Sequence, residues 1–332
     1  MSEIRLVTSS DEHIANINPG YRKDDYRGAI LDKLRWQGQF ASKVSAHALI
    51  RGGDFFHVKE ANKTTMATLS DAAAIHAAYP CPTYALAGNH DMSHNDPSSI
   101  PRQPLGVLLE SRVFRPLQEQ IFQDGSLKVR VVGVEYTTDL DYEALKDKVR
   151  KRPDDVYVLA VVHALAAFAP EERVQSFFNE RVFDYRDLVF DGCPDAYVFG
   201  HYHKDQGIKE HMGVHFANLG AISRGALTFE NIERKPKVGL FRFDSRGVTS
   251  EEVIVPHADA SKVFDMEKKR QVDVQRRDMS DFIMKLRADA KSSSGGSDEI
   301  IKRMRESSEY PDDLKDALQE CMEAAEAGLD DE

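Results

Sequence analysis

The sequence has few of the features that mark secreted, membrane or disulfide-rich proteins. Its 332 residues contain three cysteines, Cys81, Cys193 and Cys321. An odd and widely spaced set argues against a disulfide framework and against a cysteine-type zinc site. No stretch approaches the roughly 18 consecutive apolar residues of a membrane span, and residues 1–20 carry no apolar signal-peptide core. We therefore expect a cytoplasmic protein without a membrane partner.

The sequence also lacks an excess of basic charge. The formal net charge is −11, but residues 306–332 contain eleven acidic residues and one lysine, which leaves −1 for the first 305 residues. A nearly neutral body excludes a generic basic nucleic-acid binder. It does not exclude a polyanionic substrate, because two bound divalent cations bring about +4 to a site.

Residues 1 to about 220 alternate short apolar runs with helical patterns, and a polar motif follows most of the runs. The apolar runs span 4–8, 47–51, 83–87, 129–136, 156–162 and 196–199, and the helical patterns span 25–45 and 63–78. This alternation predicts an α/β fold. In such sheets the ligand site lies outside the carboxyl ends of the strands, which is where the polar motifs fall.

The remaining chain changes character twice. Strand-like runs within 214–256 predict an extension or cap of the sheet, and from about residue 259 the chain becomes helical and highly charged. Residues 292–297 form a Ser/Gly linker, and a last helix is expected to start at Pro311. The predicted segments are a 1–220 catalytic domain, a 221–258 cap, a 259–291 partner-binding segment, a 292–297 linker and a 298–332 acidic segment.

The polar motifs contain enough ligands for two divalent metal ions. They are Asp11-Glu12-His13, Gly53-Asp54-Phe55-Phe56-His57, Gly88-Asn89-His90-Asp91, the single His163, and His201 and His203 within Gly200-His201-Tyr202-His203. A mixed set of carboxylate, amide and imidazole groups favours ions such as manganese, iron or zinc. Two such ions commonly serve the cleavage of phosphate esters, in which they activate water and neutralise phosphoryl oxygens.

Two residues have roles that follow from their positions among these motifs. Asp54 lies between the two groups of ligands along the chain, so it is the natural carboxylate to bridge two ions. His90 is adjacent to Asn89 and is expected to point elsewhere. A histidine can protonate a leaving alkoxide near neutral pH, and this role suits His90.

In this order, Asp-x-His, Gly-Asp, Gly-Asn-His-Asp, His and Gly-His-x-His resemble the motifs of the calcineurin-like metallophosphoesterase superfamily. The resemblance covers residues 4 to about 220 and implies a sandwich of two mixed β-sheets flanked by helices. It also implies a catalytic role for His90. The metal ligands that it implies are Asp11, His13, Asp54 and His203 for one ion, and Asp54, Asn89, His163 and His201 for the other.

Within the superfamily the chain is most similar to the SbcD-type nuclease subunit of double-strand-break repair complexes, of which phages encode versions. Protein phosphatases carry Asp-Arg-Gly after the second motif and a Glu after Gly-Asn-His, and both are missing here. The resemblance implies a DNA substrate, Mn²⁺ as the expected metal with Mg²⁺, Fe²⁺ or Zn²⁺ as alternatives, and a transition-state role for His57. It further implies an SMC-like ATPase partner of the SbcC type, bound through residues 259–332, and a homodimer through residues 64–79 and 104–111.

Several of these expectations have alternatives. The chain could instead be a stand-alone phosphodiesterase or phosphatase acting on small nucleotides, or a non-catalytic scaffold. His57 could be an ordinary loop histidine, and the helix at 63–78 could simply pack on the sheet. Arg224 is a candidate phosphate contact or a member of a surface salt bridge. The apolar stripe from Met279 to Leu286 could bind a partner or pack on its own domain.

Overall fold

The computed structural model describes residues 2–58, 63–170, 180–272 and 274. The chain divides into two units, Met1–Asp265 and Met266–Glu332. In the second unit the described residues 266–272 and 274 are helical. The apolar stripe predicted at 279–286, the linker at 292–297 and the last helix lie outside the described residues, so these predictions stay predictions.

The first unit contains two six-stranded sheets and a pair of two-residue strands. The strands are β1 (Glu3–Ser9), β2 (Ala48–Arg51), β3 (Thr83–Ala85), β4 (Phe114–Pro116), β5 (Glu119–Asp124), β6 (Leu127–Val134), β7 (Tyr157–His163), β8 (Ala166–Ala167), β9 (Phe183–Asp184), β10 (Ala196–Gly200), β11 (Gly207–His211), β12 (Val214–Asn218), β13 (Lys237–Asp244) and β14 (Gly247–Ile254). The first sheet has the order β14-β13-β1-β2-β3-β4 and the second has the order β11-β12-β10-β7-β6-β5.

Each sheet has a block of parallel strands, with antiparallel strands on one side of it in the first sheet and on both sides in the second. Strands β1 to β4 run parallel, whereas β13 is antiparallel to both β1 and β14. In the second sheet β6, β7, β10 and β12 run parallel, and β5 and β11 are antiparallel edge strands. Both sheets are therefore mixed, as predicted, and the parallel strands of each sheet end at a common edge.

The side chains of one strand alternate between two hydrophobic cores. In β7, Leu159 and Val161 join the core between the two sheets, and Val158 and Ala160 join the core on the outer face of the second sheet. This period of two is the geometry of a strand that is buried on both faces. It explains why the run at 156–162 is continuously apolar.

Helices cover the outer faces of the sheets. They are α1 (Tyr26–Lys43), α2 (Met66–Ala77), α3 (Pro104–Glu110) and α4 (Tyr142–Val149), with short helices at Phe229–Glu233 and Ala260–Val263. The side chains of Asp25 and Thr65 cap α1 and α2 by accepting from backbone N–H groups in the first turn. The layers are thus helix, sheet, sheet, helix, and the predicted α/β fold class is confirmed.

Five strands were not predicted from the sequence. β4, β8 and β9 have two or three residues each, and β5 and β11 are edge strands without a fully buried residue. Residues 221–258, predicted as a cap or an extension of the sheet, contain β13 and β14, and β13 pairs with β1 in the first sheet. The boundaries proposed at residues 220 and 258 stay predictions. Among the described helices, none is both long and apolar enough to cross a membrane.

Candidate metal centre

The predicted ligands lie where parallel strands of both sheets end. They are Asp11 and His13 after β1, Asp54 after β2, Asn89 after β3, His163 as the last residue of β7, and His201 and His203 after β10. The two sheets face each other across a shared core, so their carboxyl edges are neighbours. The sequence motifs therefore meet at one place on the molecule.

Two clusters of candidate ligand atoms share the carboxylate of Asp54. Within each cluster the ligand atoms lie within 4.8 Å of one another. One cluster contains Asp11, His13, Asp54 and His203, and the other contains Asp54, His163 and His201. Each cluster draws on both sheets, so neither sheet alone could assemble a site.

The first cluster is tightly packed around His13. Its Nε2 lies 2.9 Å from Nε2 of His203 and 3.6 Å from Oδ2 of Asp54. Nε2 of His203 lies 3.5 Å from Oδ1 of Asp11. Asp11 and Asp54 are fully buried, whereas about half of the His203 side chain is exposed. This cluster would therefore hold a cation with two buried carboxylates and with an imidazole that is half exposed.

The second cluster is oriented by a hydrogen bond to the backbone. Nδ1 of His163 donates to the carbonyl of Gly52 at 2.7 Å. This turns Nε2, the nitrogen left to bind a cation, toward Oδ2 of Asp54 and Oδ1 of Asn89, each 3.4 Å away. Fixing one ring nitrogen in this way sets the tautomer that a metal ligand needs. Asn89 thereby joins the second cluster.

Four of the ligands have a left-handed backbone. The φ angles are 57° at Asp11, 46° at His13, 54° at Asp54 and 84° at His201. This conformation costs about 1–3 kcal/mol per residue and persists only where the surroundings impose it. Here the backbone N–H groups of Asp11 and His13 donate to the carbonyls of Gly53 and Asp54, both at 3.0 Å. The loops after β1 and β2 therefore hold each other in place.

Two glycines of the motifs allow the backbone to approach the ligands closely. A Cβ added at Gly88 would lie 2.1 Å from Oδ1 of Asp54, and one added at Gly53 would lie 2.2 Å from Nδ1 of His163. Gly53 also has a φ of +100°, which other residues rarely adopt. The Gly-Asp and Gly-Asn-His-Asp motifs thus need glycine for space as well as for conformation.

The residues at this edge fit two divalent ions. Among the described residues, the buried Oδ2 of Asp54 has no hydrogen-bond partner, although it faces both clusters. Burial alone would raise the pKa of Asp54, but the positive partner His163 holds it well below its usual range. Cations on either side would satisfy this oxygen. The residues that would hold them are Asp11, His13, Asp54 and His203 for one ion, and Asp54, Asn89, His163 and His201 for the other.

Two further histidines lie beside the clusters. The rings of His57 and His90 stack with their centroids 4.6 Å apart and an interplanar angle of 21°. The ring of His90 lies edge-on to that of His13, at 4.7 Å, and the backbone N–H of His90 donates to Oδ1 of Asp54 at 2.7 Å. The candidate catalytic histidines are therefore fixed to both a ligand ring and the shared carboxylate.

A buried polar network around Arg51 supports the first motif from inside the protein. Arg51 is the last residue of β2 and its side chain is fully buried. Its guanidinium donates to side-chain atoms of Ser9, Glu12, Gln37, His76 and Tyr79. Glu12 stands between the ligands Asp11 and His13 and is also fully buried. This ion pair anchors the loop that carries both ligands.

A second support comes from buried basic side chains that donate to the successive carbonyls of residues 221–224. Arg234 donates to the carbonyls of Ala221 and Ser223. Lys33 donates to the carbonyl of Ile222, and Arg22 donates to that of Arg224. The Ser223 hydroxyl in turn donates to the carbonyl of Asp11 at 3.2 Å. The segment therefore also holds the backbone of Asp11.

Arg224, the candidate phosphate contact, is not brought to the clusters. Only 3% of the residue is exposed, and its Nη2 donates to the carbonyl of Ala258. Burial, together with the nearby Arg22, lowers its pKa. The side chain of Arg224 lies in the interior, so it does not form the surface salt bridge that was the alternative either.

A cavity of about 1130 Å³ opens over the clusters. Its lining includes Asp54, Asn89, His90 and other cluster residues, and also apolar side chains. The apolar side chains nearest in sequence to the first motif are Ala15, Ile17 and Pro19. The site can therefore receive a ligand much larger than one phosphate group.

Sequence reasoning missed two residues beside the second cluster, which are Glu180 on the cavity wall and its partner Tyr136. Oε2 of Glu180 lies 2.9 Å from Nε2 of His201, and its Oε1 accepts from the hydroxyl of Tyr136 at 3.3 Å. Burial and the Glu180 carboxylate raise the pKa of Tyr136 to about 12. Glu180 belongs to none of the motifs and is 21 residues from His201 in the sequence. No local signal marks it, because only the fold brings it to the site.

Comparison with known proteins gives one family and several structures. The family model described as calcineurin-like phosphoesterase matches residues 4–205. A search of curated proteins finds no match. The chain is similar to the solved structure of the calcineurin-like phosphoesterase YfkN from Bacillus subtilis, with 10% identity, coverage of 78% of this chain and 94% of that chain, and a TM-score of 0.48. It is also similar to a dimetal phosphatase from Danio rerio, with 13% identity, coverage of 76% and 99%, and a TM-score of 0.42.

Proposed function

The chain belongs to the calcineurin-like phosphoesterase family, and from that premise we propose that it is a metal-dependent DNA nuclease that hydrolyses phosphodiester bonds. The observation that carries the proposal is the stacked pair His57 and His90 beside the ligand clusters. Both rings line the cavity, and together with His13 they form a third group whose nitrogen atoms lie within 4.8 Å of one another. A phosphate ester bound in the cavity would therefore lie near both rings.

The size of the cavity supports a substrate larger than a single phosphate ester. Pockets that hold drug-sized ligands measure roughly 300–1,000 Å³, and this cavity of about 1130 Å³ is larger. The exposed Ile17 and neighbouring Pro19 offer an apolar surface within the same space. A nucleic acid strand presents both the phosphate for the clusters and the apolar base faces for such a surface.

In the proposed reaction, water attacks phosphorus and the bond to the leaving oxygen breaks. When bound, the two divalent ions would supply Lewis acidity and lower the pKa of that water. His90 would hold a proton and transfer it to the leaving oxygen, so that a neutral alcohol departs. His57, stacked on His90, would stabilise charge on the phosphoryl oxygens as the transition state forms. The hydrogen bond from the backbone N–H of His90 to Asp54 would hold His90 at a fixed distance from the shared carboxylate.

Replacing His90 tests this assignment. We expect His90→Asn to lower the rate of DNA hydrolysis about 10²–10⁴-fold, which is the usual contribution of a general acid. Bound Mn²⁺, measured by mass spectrometry of the desalted protein, should remain at two ions per chain. His94→Asn is a matched control, because His94 is a partly exposed histidine four residues away that lies outside the clusters. Wild-type activity of His90→Asn would contradict the role of His90.

The substrate class is tested by offering different phosphodiesters under one metal. We expect the Mn²⁺-loaded protein to cleave linear or hairpin DNA faster than cyclic mononucleotides. The reverse order would favour the second candidate function, a stand-alone phosphodiesterase on small nucleotides. Loading with Mg²⁺, Fe²⁺ or Zn²⁺ in the same assay tests the choice of Mn²⁺. Full metal occupancy without hydrolysis of any phosphodiester would favour a non-catalytic scaffold.

We also propose an SMC-like ATPase partner bound through residues 259–332, and a homodimer. The partner proposal is supported by the charged, helical sequence of this segment and by its Ser/Gly linker. Co-purification of the chain with such an ATPase, with and without residues 259–332, tests it.

The dimer proposal is supported by Met66 of α2 and Val107 of α3, which are 77% and 46% exposed. Sedimentation of wild type against Met66→Lys tests the dimer.

A further inference from the structure

We propose that Glu180 is a positioning residue that orients His201 for one of the two metal ions. The proposal rests on the metal centre of the proposed function, and not on DNA as the substrate. Glu180 is 21 residues from His201 in the sequence, yet its carboxylate is one of the partners of that ring. The argument depends on which ring nitrogen each neighbour of His201 can use.

The contact with Glu180 fixes the tautomer of His201. A carboxylate accepts hydrogen bonds and does not donate them, so Nε2 of His201 must be the donor over the 2.9 Å that separates it from Oε2. In a neutral imidazole the proton on Nε2 leaves the lone pair on Nδ1. The ring of His201 therefore presents Nδ1 as its metal-binding atom, and it belongs to the cluster with Asp54 and His163.

The surroundings hold the Glu180 carboxylate in this orientation. Its Oε1 accepts from the hydroxyl of Tyr136 at 3.3 Å. The ring of Tyr136 lies 5.1 Å from that of His201 and 6.2 Å from that of His163. Tyr136 thus contacts both imidazoles of the cluster and the carboxylate that orients one of them.

The backbone of His201 is fixed independently of its ring. Its N–H donates to Oδ1 of Asp11 at 3.0 Å. With the main chain fixed at a φ of 84°, the remaining freedom of His201 is rotation of the side chain. Glu180 restricts that rotation. A carboxylate that accepts from a ligating histidine also raises the basicity of the ligand, and losing it typically costs 10–100-fold in metal affinity.

Glu180 differs from the carboxylates that bind the ions directly. Asp11 and Asp54 are fully buried, whereas the Glu180 side chain is 35% exposed on the cavity wall. Within the described residues, Glu180 belongs to neither of the two clusters around Asp54. Its effect on the ion would therefore pass through His201.

The test is a titration with MnCl₂ of protein from which a chelator has removed the metal. Calorimetry measures the binding, and electron paramagnetic resonance measures the free Mn²⁺. We expect Glu180→Ala to weaken one of the two binding events about 10–100-fold and to leave the other unchanged. Glu180→Gln keeps an acceptor without the charge, so we expect a smaller loss. Tyr136→Phe should have the smallest effect. The nitrogen spectrum of the metal-free protein should show His201 protonated on Nε2 in wild type and a mixture of tautomers in Glu180→Ala.

Glu230→Gln is the matched control, because Glu230 also lines the cavity but belongs to no ligand cluster among the described residues. It should leave both binding events unchanged. Equal weakening of both events in Glu180→Ala, or wild-type binding in that variant, would overturn the proposal. If Glu180→Ala does not fold, the same comparison with Glu180→Gln and the tautomer of His201 decides it. A wild-type protein that binds Mn²⁺ in two events but does not cleave DNA would count against the proposed nuclease, and not against the role of Glu180.

Discussion

The carboxyl edges of the two sheets contribute differently to the metal centre. The edge of the first sheet provides both carboxylates and the amide, from Asp11, Asp54 and Asn89, whereas the edge of the second sheet provides imidazoles alone. Support on the first side is buried, through the Arg51 network, while on the second side Glu180 stands on the cavity wall. Negative charge is thus built into the interior. Of the two histidines in the second cluster, His163 is oriented by a buried carbonyl and His201 by a carboxylate on the cavity wall.

The two edges differ most in what the loss of one ligand should do, and Asp54 is the residue common to both clusters. We expect Asp54→Asn to remove tight binding of both ions and to abolish hydrolysis, because it deletes the charge that both share. His201→Ala, from the second sheet, should lose one ion and keep the other. Metal content after desalting, measured by mass spectrometry, distinguishes these outcomes. Retention of two ions by Asp54→Asn would show that the carboxylate is not shared.

The buried support of the first edge should have the largest effect on stability. Arg51→Met leaves Glu12 buried without its cation, and breaking such a pair costs about 3–5 kcal/mol. The control is Arg246→Met, since Arg246 is 83% exposed and a solvent-exposed ion pair such as the one with Asp244 contributes little to stability. Urea unfolding of the metal-free proteins measures both. If both variants lose a similar amount of unfolding free energy, the buried pair does not stabilise the fold more than the surface pair does.

Two buried tyrosines allow the support of a metal-ligand residue to be compared with the support of the hydrophobic core. The hydroxyl of Tyr26 donates to the carbonyl of His13 at 2.8 Å, and that of Tyr197 donates to the carbonyl of Leu188 at 3.1 Å. Each change to phenylalanine should cost about 1 kcal/mol of unfolding free energy. Only Tyr26→Phe should also weaken Mn²⁺ binding, because only Tyr26 touches a ligand residue. Weaker metal binding in Tyr197→Phe would argue that the whole fold, and not its first edge, sets the affinity.

The sequence predicted the parts of the fold that are buried on both faces and the ligands that follow them. Strands such as β7 read as continuous apolar runs, and their ends coincide with the motifs. The edge strands β5 and β11 were missed because they pair on one side only and expose many of their side chains. Their residues carry too few buried positions to produce a clear pattern.

The ligands could be predicted because their motifs are local, whereas their supports are not. Glu180 and the Arg51 network depend on contacts between residues that are distant in the chain, and no spacing in the sequence reveals them. Arg224 shows the opposite difficulty. Its position after the last motif fitted a phosphate contact, but the residue is buried and binds a backbone carbonyl. A position near a motif does not by itself determine which way a side chain points.

The unpaired oxygen of Asp54 links the folding equilibrium of the protein to its supply of metal. An ion that binds the native chain and not the unfolded one stabilises the former by mass action, by about 2.7 kcal/mol at a hundred times the dissociation constant. The buried Oδ2 that lacks a hydrogen-bond partner among the described residues is what such an ion would satisfy. The melting temperature should therefore rise with free metal concentration, so that a protein short of metal is also one more easily unfolded and degraded.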